Sequence, residues 1–80
     1  MKKITQSVYN YSAYFELNEN NGYTVTVPAL PGLVTEGKNL EDARTMTKDA
    51  ILCYLQGLKK NGEAMPTERD SAFMRVAVSI

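Results

Sequence analysis

The segment Tyr23-Thr24-Val25-Thr26-Val27-Pro28-Ala29-Leu30-Pro31-Gly32-Leu33-Val34-Thr35-Glu36-Gly37-Lys38-Asn39-Leu40-Glu41-Asp42-Ala43 passes from strand to turn to strand to helix. Tyr23, Val25 and Val27 alternate with Thr24 and Thr26, the period-two pattern of a strand with one buried face. Pro28 has no N–H to give to a ladder, so the strand ends there or meets a bulge. Pro31-Gly32 suits the central positions of a type II turn, where glycine takes positive φ. Residues 33–36 then form a short third strand, closed by Gly37. Asn39 is a helix N-cap with Asp42 three residues on, in the manner of a capping box, although Glu or Gln is the commoner partner. Glu41 and Asp42 place negative charge at the positive end of the helix dipole.

Upstream, Tyr9, Tyr11, Ala13, Phe15 and Leu17 alternate with Asn10, Ser12, Tyr14 and Glu16, which predicts a half-buried strand over residues 9–17. The two apolar faces restrict the hairpin loop. A two-residue Asn21-Gly22 turn would set Leu17 opposite Thr26 and mix the faces. A three-residue loop with Gly22 in the left-handed position sets Leu17 opposite Val25, and a five-residue loop keeps the faces matched as well. An odd loop is therefore expected.

Downstream, a helix is expected from Leu40 to Lys60, with Leu40, Ala43, Thr47, Ala50, Ile51, Tyr54 and Leu58 in one stripe. Lys59 and Lys60 complement the negative end of the dipole, and Asn61-Gly62 supplies a C-cap. Gly57 sits inside the helix at a cost of about 1 kcal/mol against alanine, and marks either a close approach to the sheet or an early fray. Pro66 forbids continuation, and residues 67–71 read as polar linker. Met74, Val76, Val78 and Ile80 alternate with Arg75, Ala77 and Ser79, the pattern of a fourth strand. The order β-β-β-α-β makes a two-layer α+β domain: an antiparallel meander, a helix over one face, and a fourth strand parallel to the third. The opposite face, with Ser12, Tyr14, Glu16, Thr24, Thr26, Arg75 and Ser79, can stand in water.

A chain of 80 residues reads as one domain, 1–80. A domain of this size buries roughly 60–65% of its unfolded surface, so the core is thin. Nine basic and nine acidic residues cancel and are scattered, so the chain by itself lacks the footprint of a nucleic-acid binder. Cys53 is the single cysteine and forms no internal disulfide, which suits a reducing cytosol. Histidine is absent, which removes the commonest general base and zinc ligand together. Met1-Lys2-Lys3 opens like a signal peptide, but Ile4-Thr5-Gln6-Ser7 is no apolar segment, and no stretch is long enough to span a membrane. The expectation is a soluble cytoplasmic protein with no membrane contact, metal or cofactor.

Residues 23–43 resemble the pattern of the HicB-like antitoxin family: a strand ending in aromatic-x-Val-x-x-Pro, then Asp-Leu-Pro-Gly-Cys, Thr-x-Gly, and an acidic helix start with alanine. Tyr23, Val25, Pro28, Leu30, Pro31, Gly32, Thr35, Gly37, Leu40, Glu41 and Ala43 stand at matching positions. Ala50-Ile51, Leu55, Gly62 and Pro66 extend the match, which covers roughly residues 9–67. Ala29 and Lys38 replace usual aspartates and Leu33 a usual cysteine, so the loop is less acidic than the pattern. The resemblance implies a partial ribonuclease-H-like fold. It also implies a place in a toxin–antitoxin pair, where such a protein binds and blocks a small ribonuclease of the HicA type. Many relatives add a C-terminal DNA-binding segment; with none following the fourth strand here, autorepression by this chain alone is not expected.

The expected partner-binding residues are Pro31, Gly32, Glu36, Glu41, Asp42 and Leu52. Glu36, Glu41 and Asp42 are the acids beside the motif turn, and a ribonuclease is basic where it holds RNA. Gly32 offers close backbone approach, although turn geometry alone accounts for it. Leu52 projects away from the core stripe, among Glu41, Thr45, Lys48, Gln56 and Lys59, as a contact for a second subunit or a toxin; a lone exposed leucine is also ordinary. Catalysis is not expected: two-metal chemistry needs converging carboxylates, and the strands offer only Glu16 and Glu36. Cys53 lies off the stripe with no activating neighbour, and the tyrosines at 9, 11, 14 and 23 lack the basic groove of a stacking platform. Open strand edges predict a homodimer or higher homo-oligomer, through the third strand or the Leu52 face. The alternative function is a stand-alone regulatory module that binds a protein or small ligand without a toxin.

Overall fold

A computed structural model of the chain describes residues 8–68, 72 and 74–80. Its elements are β1 (Tyr14–Leu17), β2 (Tyr23–Thr26), β3 (Val34–Gly37) and α1 (Leu40–Lys60). The strands form an antiparallel sheet in the order β1-β2-β3, the expected meander. The reading of residues 1–7 and residues 69–71 of the expected linker lie outside the described residues.

The register gives each face its composition. Phe15, Val25 and Thr35 align across the sheet, as do Leu17, Tyr23 and Gly37, and this is the helix side. Tyr14, Thr26 and Val34 make one row of the other face, and Glu16, Thr24 and Glu36 the next. The hairpin loop is odd, with five residues, and sets Leu17 opposite Tyr23 rather than Val25. Asn18 organises it. Its side-chain oxygen accepts from the N–H of Asn20 at 3.0 Å and of Gly22 at 3.1 Å, and its own N–H donates to the Gly22 carbonyl at 2.9 Å. The left-handed residue is Asn21, at φ 63°, not Gly22. Asparagine tolerates that conformation, which releases Gly22 for a different task. A Cβ at Gly22 would run into the backbone carbonyl of Gly37 on the neighbouring strand.

Two successive turns carry the chain from β2 to β3. Leu30 N–H donates to Val27 O at 2.9 Å and Leu33 N–H to Leu30 O at 3.1 Å. In the second turn Pro31 precedes Gly32 at φ 84°, the type II form. The double turn drives Leu30 fully into the core beside Val27 and Leu33, where Tyr11, Ala13, Ala50, Ile51, Tyr54 and Leu55 pack against them. Burial of Leu30 is what leaves Pro31 and Gly32 outside.

The helix has the expected bounds. Asn39 caps it by accepting the Asp42 N–H at 2.8 Å, and Asp42 reaches back to accept the Lys38 N–H at 2.8 Å. A glutamate would reach the cap residue itself; in this helix the aspartate closes the box one residue earlier. At the other end Gly62 at φ 71° and the Glu63 N–H to Leu58 O bond of 2.9 Å form a Schellman motif. Gly57 marks neither a close approach nor a fray: it is exposed, a Cβ there would meet nothing, and its carbonyl accepts the Asn61 N–H at 3.1 Å. Leu40 departs from the expected stripe and is 56% exposed.

Two strands differ from the expected reading. The first begins at Tyr14, so residues 9–13 stand beside the sheet without joining it. The fourth is not seen: among the described residues none after Glu68 pairs, and Met74, Val76 and Val78 are 78–82% exposed. Alternation makes a strand amphipathic but does not supply the ladder partner it needs. The α+β class and the order of three strands then a helix stand as expected.

Candidate functional site

The expected partner-binding residues fall into three places. Glu36 and Glu41 are exposed at the joint between β3 and α1, with half-buried Asp42 beside them. Asp42 differs in kind from its neighbours, since its carboxylate is engaged by the Lys38 N–H and its own N–H by Asn39. Glu36 stands on the helix-free face, across from Thr24.

Pro31 and Gly32 are exposed at the other end of the helix. The Tyr54 hydroxyl donates to the Pro31 carbonyl at 3.1 Å and ties the turn to the third quarter of α1. The helix rise between Glu41 and Tyr54 sets the acidic joint and the turn about 20 Å apart. Leu52, 54% exposed, lies near the turn end, on the solvent side of α1. The six residues thus form no single cluster; a partner touching all of them would cover the length of the helix.

The two strand carboxylates do not converge. Glu16 and Glu36 share a row but are separated by Thr24 on the intervening strand, about 10 Å between backbones. Among the described residues no group of three His, Cys, Asp or Glu side chains gathers as a metal site would require. Cys53 is exposed. No helix among the described residues is long and apolar enough to cross a membrane.

Two surface features escaped the sequence pattern. The first is an apolar row on the helix-free face, where Tyr14 is 55% and Val34 63% exposed on either side of Thr26. Val34 shows as outward only once the register is known. The second is a groove of about 810 Å³ between residues 9–15 and α1, lined by Tyr9, Tyr11, Phe15, Arg44, Thr47 and Ile51 among others. It exists because α1 packs mainly over β3 and β2, leaving the helix side of β1 uncovered. The chain after the helix is fastened at its rim. The Tyr11 hydroxyl donates to the Pro66 carbonyl at 2.7 Å, the Ser12 hydroxyl donates to Glu68 at 2.9 Å, and the Ser12 N–H donates to the same carboxylate. Burial, then the neighbouring Tyr9 and Glu68 charges, raise the Tyr11 pKa above its usual value and keep the phenol a donor.

Comparison with known proteins returns one family and several relatives. A family described as HicB-like antitoxin of bacterial toxin-antitoxin system matches residues 11–76. A UPF0150 protein of Thermoplasma acidophilum is 42% identical over 62 residues, 78% of this chain and 87% of the relative. A UPF0150 protein of Archaeoglobus fulgidus is 40% identical over 53 residues, 66% of this chain and 75% of the relative. One from Helicobacter pylori is 33% identical over 61 residues, 76% and 85% of the two chains. No solved structure matches.

Proposed function

Since the chain belongs to the HicB-like antitoxin family of bacterial toxin–antitoxin systems, we propose that it acts by binding and neutralising a small ribonuclease toxin of the HicA type, as a cytoplasmic homodimer. The three-stranded meander and its covering helix are, on this reading, the first part of a partial ribonuclease-H-like fold whose fourth strand completes on assembly. The observation that carries the partner surface is the acidic joint: Glu36 and Glu41 both project into solvent within a short span of chain. Such a pair suits the basic RNA-binding face of a ribonuclease, where complementary charge speeds encounter and fixes orientation. Asp42 belongs to the cap, so its contribution to a partner is indirect.

The test is charge reversal without damage to the cap. Glu36→Lys with Glu41→Lys is expected to weaken neutralisation of a co-expressed toxin by about tenfold or more while the helical circular dichroism is unchanged. Full neutralisation by the double variant places the interface elsewhere, with the Pro31-Gly32 turn and Leu52 next to be altered. A short basic reading frame with a catalytic histidine beside the gene identifies the toxin to use; its absence favours the stand-alone module.

A further inference from the structure

We propose that the groove between residues 9–15 and α1 is a strand-acceptor site, and that residues 74–80 of a second copy of this chain fill it, each copy giving and receiving one strand. The inference rests on the homodimer of the proposed function and specifies how it is built.

Donor and acceptor match in pattern. Met74, Val76, Val78 and Ile80 stand on one side of an extended segment and Arg75, Ala77 and Ser79 on the other. Among the described residues β1 pairs with β2 alone, so its outer edge presents unpaired backbone groups. Beside that edge the groove offers Phe15, Ile51, Tyr9 and Tyr11 on the helix side, with Arg44, Lys48 and Asp49 of α1 also in its lining, and Tyr14 and Glu16 face the other way. A strand laid along β1 with its apolar side toward α1 therefore continues both faces of the sheet and turns its own charge, Arg75, to the outer face. Three large apolar side chains at 78–82% exposure, close together on one segment, are a surface that a folded chain covers.

The fastening at the groove's rim argues against the chain filling its own groove. Glu68 is held level with Ser12 by the backbone N–H and hydroxyl of that serine. A strand continued from there alongside β1 draws level with Tyr14 about two residues later and has passed Leu17 by Met74, at one residue per residue of a parallel ladder. Residues 74–80 would then lie beyond β1, while the groove straddles the fastening point, with Tyr9, Asn10 and Tyr11 before Ser12 and only Ala13 and Phe15 after it. Filling it from the same chain requires a full reversal between Glu68 and Met74. A second copy is free of that restriction, and mutual exchange about a two-fold axis closes both grooves and stops at the dimer.

The experiment uses the full chain without toxin. An equal mixture of ¹³C-labelled and unlabelled protein is unfolded, refolded together and examined by isotope-filtered NOE spectroscopy, with sedimentation on the same sample. The expected result is a dimer showing intermolecular contacts from the Val76 and Val78 methyls to the Tyr9, Tyr11 and Phe15 rings. Val78→Asp is expected to weaken self-association by about tenfold or more, and Val34→Asp on the opposite face to leave it unchanged. A monomer with these contacts inside one chain overturns the proposal, and with it the homodimer. A dimer lacking contacts between residues 74–80 and the groove overturns strand exchange but leaves the homodimer standing, as does a dimer that Val34→Asp disrupts and Val78→Asp does not.

Discussion

Gly37 lets the sheet meet the helix. A Cβ on it would collide with the backbone of Asp42 and Ala43, atoms that cannot turn aside as a flexible side chain does. Gly37→Ala is therefore expected to push the start of α1 off β3 and to destabilise the fold by about 2 kcal/mol or more, measured as a lower midpoint in urea. The position reads from sequence as the end of a strand; that it sets the spacing of two layers is visible only when Ala43 is seen against it. Gly22 is similar, since the residue that needed left-handed backbone was Asn21 and the glycine was needed for room. Tyr11 yields a second prediction. Its pKa is raised in the folded chain, so the fold holds the phenol proton more tightly than the unfolded chain does. That stabilisation is fully present below the ordinary tyrosine pKa of about 10 and is lost as pH rises through the folded value. Unfolding midpoints should fall on that alkaline limb, and Tyr11→Phe, which also removes the bond to Pro66, should flatten it. An equally steep limb in the variant would assign the loss to other groups.

At the scale of elements, α1 was legible because each of its signals is local. Asn39, Asp42, Asn61 and Gly62 act within a turn of their own positions, so they fix the ends whatever the helix packs against. Gly57 lies inside it, exposed and without neighbours at the Cβ position. Gly57→Ala should stabilise the chain by about 1 kcal/mol. In a domain this small that raises the melting temperature by about 4–8 °C. A lower melting temperature would mean that the position is covered in the assembled protein. Strands were less legible, since alternation reports a face and not a partner. Residues 9–13 and 74–80 carry the same alternation as β2, but only β2 has a neighbour on both sides. The parity of the hairpin loop followed from the apolar faces; its length depended on the Asn18 side chain, whose bonds reach across the turn.

For the whole molecule, the family was legible because its motif is a structural device: Leu30 plugs the core, and Pro31 and Gly32 shape the turn that inserts it. The same fact obscures the proposed binding surface. Motif residues hold the fold together, and the charged residues that would meet a partner lie at a joint about 20 Å from the turn, a separation that sequence adjacency conceals. Charge also decides the last prediction, that the protein alone does not bind duplex DNA at physiological salt. Arg44, Lys48, Lys59 and Lys60 are exposed along α1, but Glu41 and Asp49 are interspersed with them and the chain as a whole is neutral. A face neutralising about two phosphates has a log–log salt slope near −2 and little affinity, and doubling it in a dimer leaves it below the 6–10 contacts of a specific binder. Fluorescence anisotropy with a labelled random duplex should show no binding at high micromolar protein in 0.15 M salt and weak, salt-labile binding at low salt. Sequence-specific binding that persists as salt is raised would show that assembly gathers the scattered bases onto one surface, and that neutral composition is no guide to this fold.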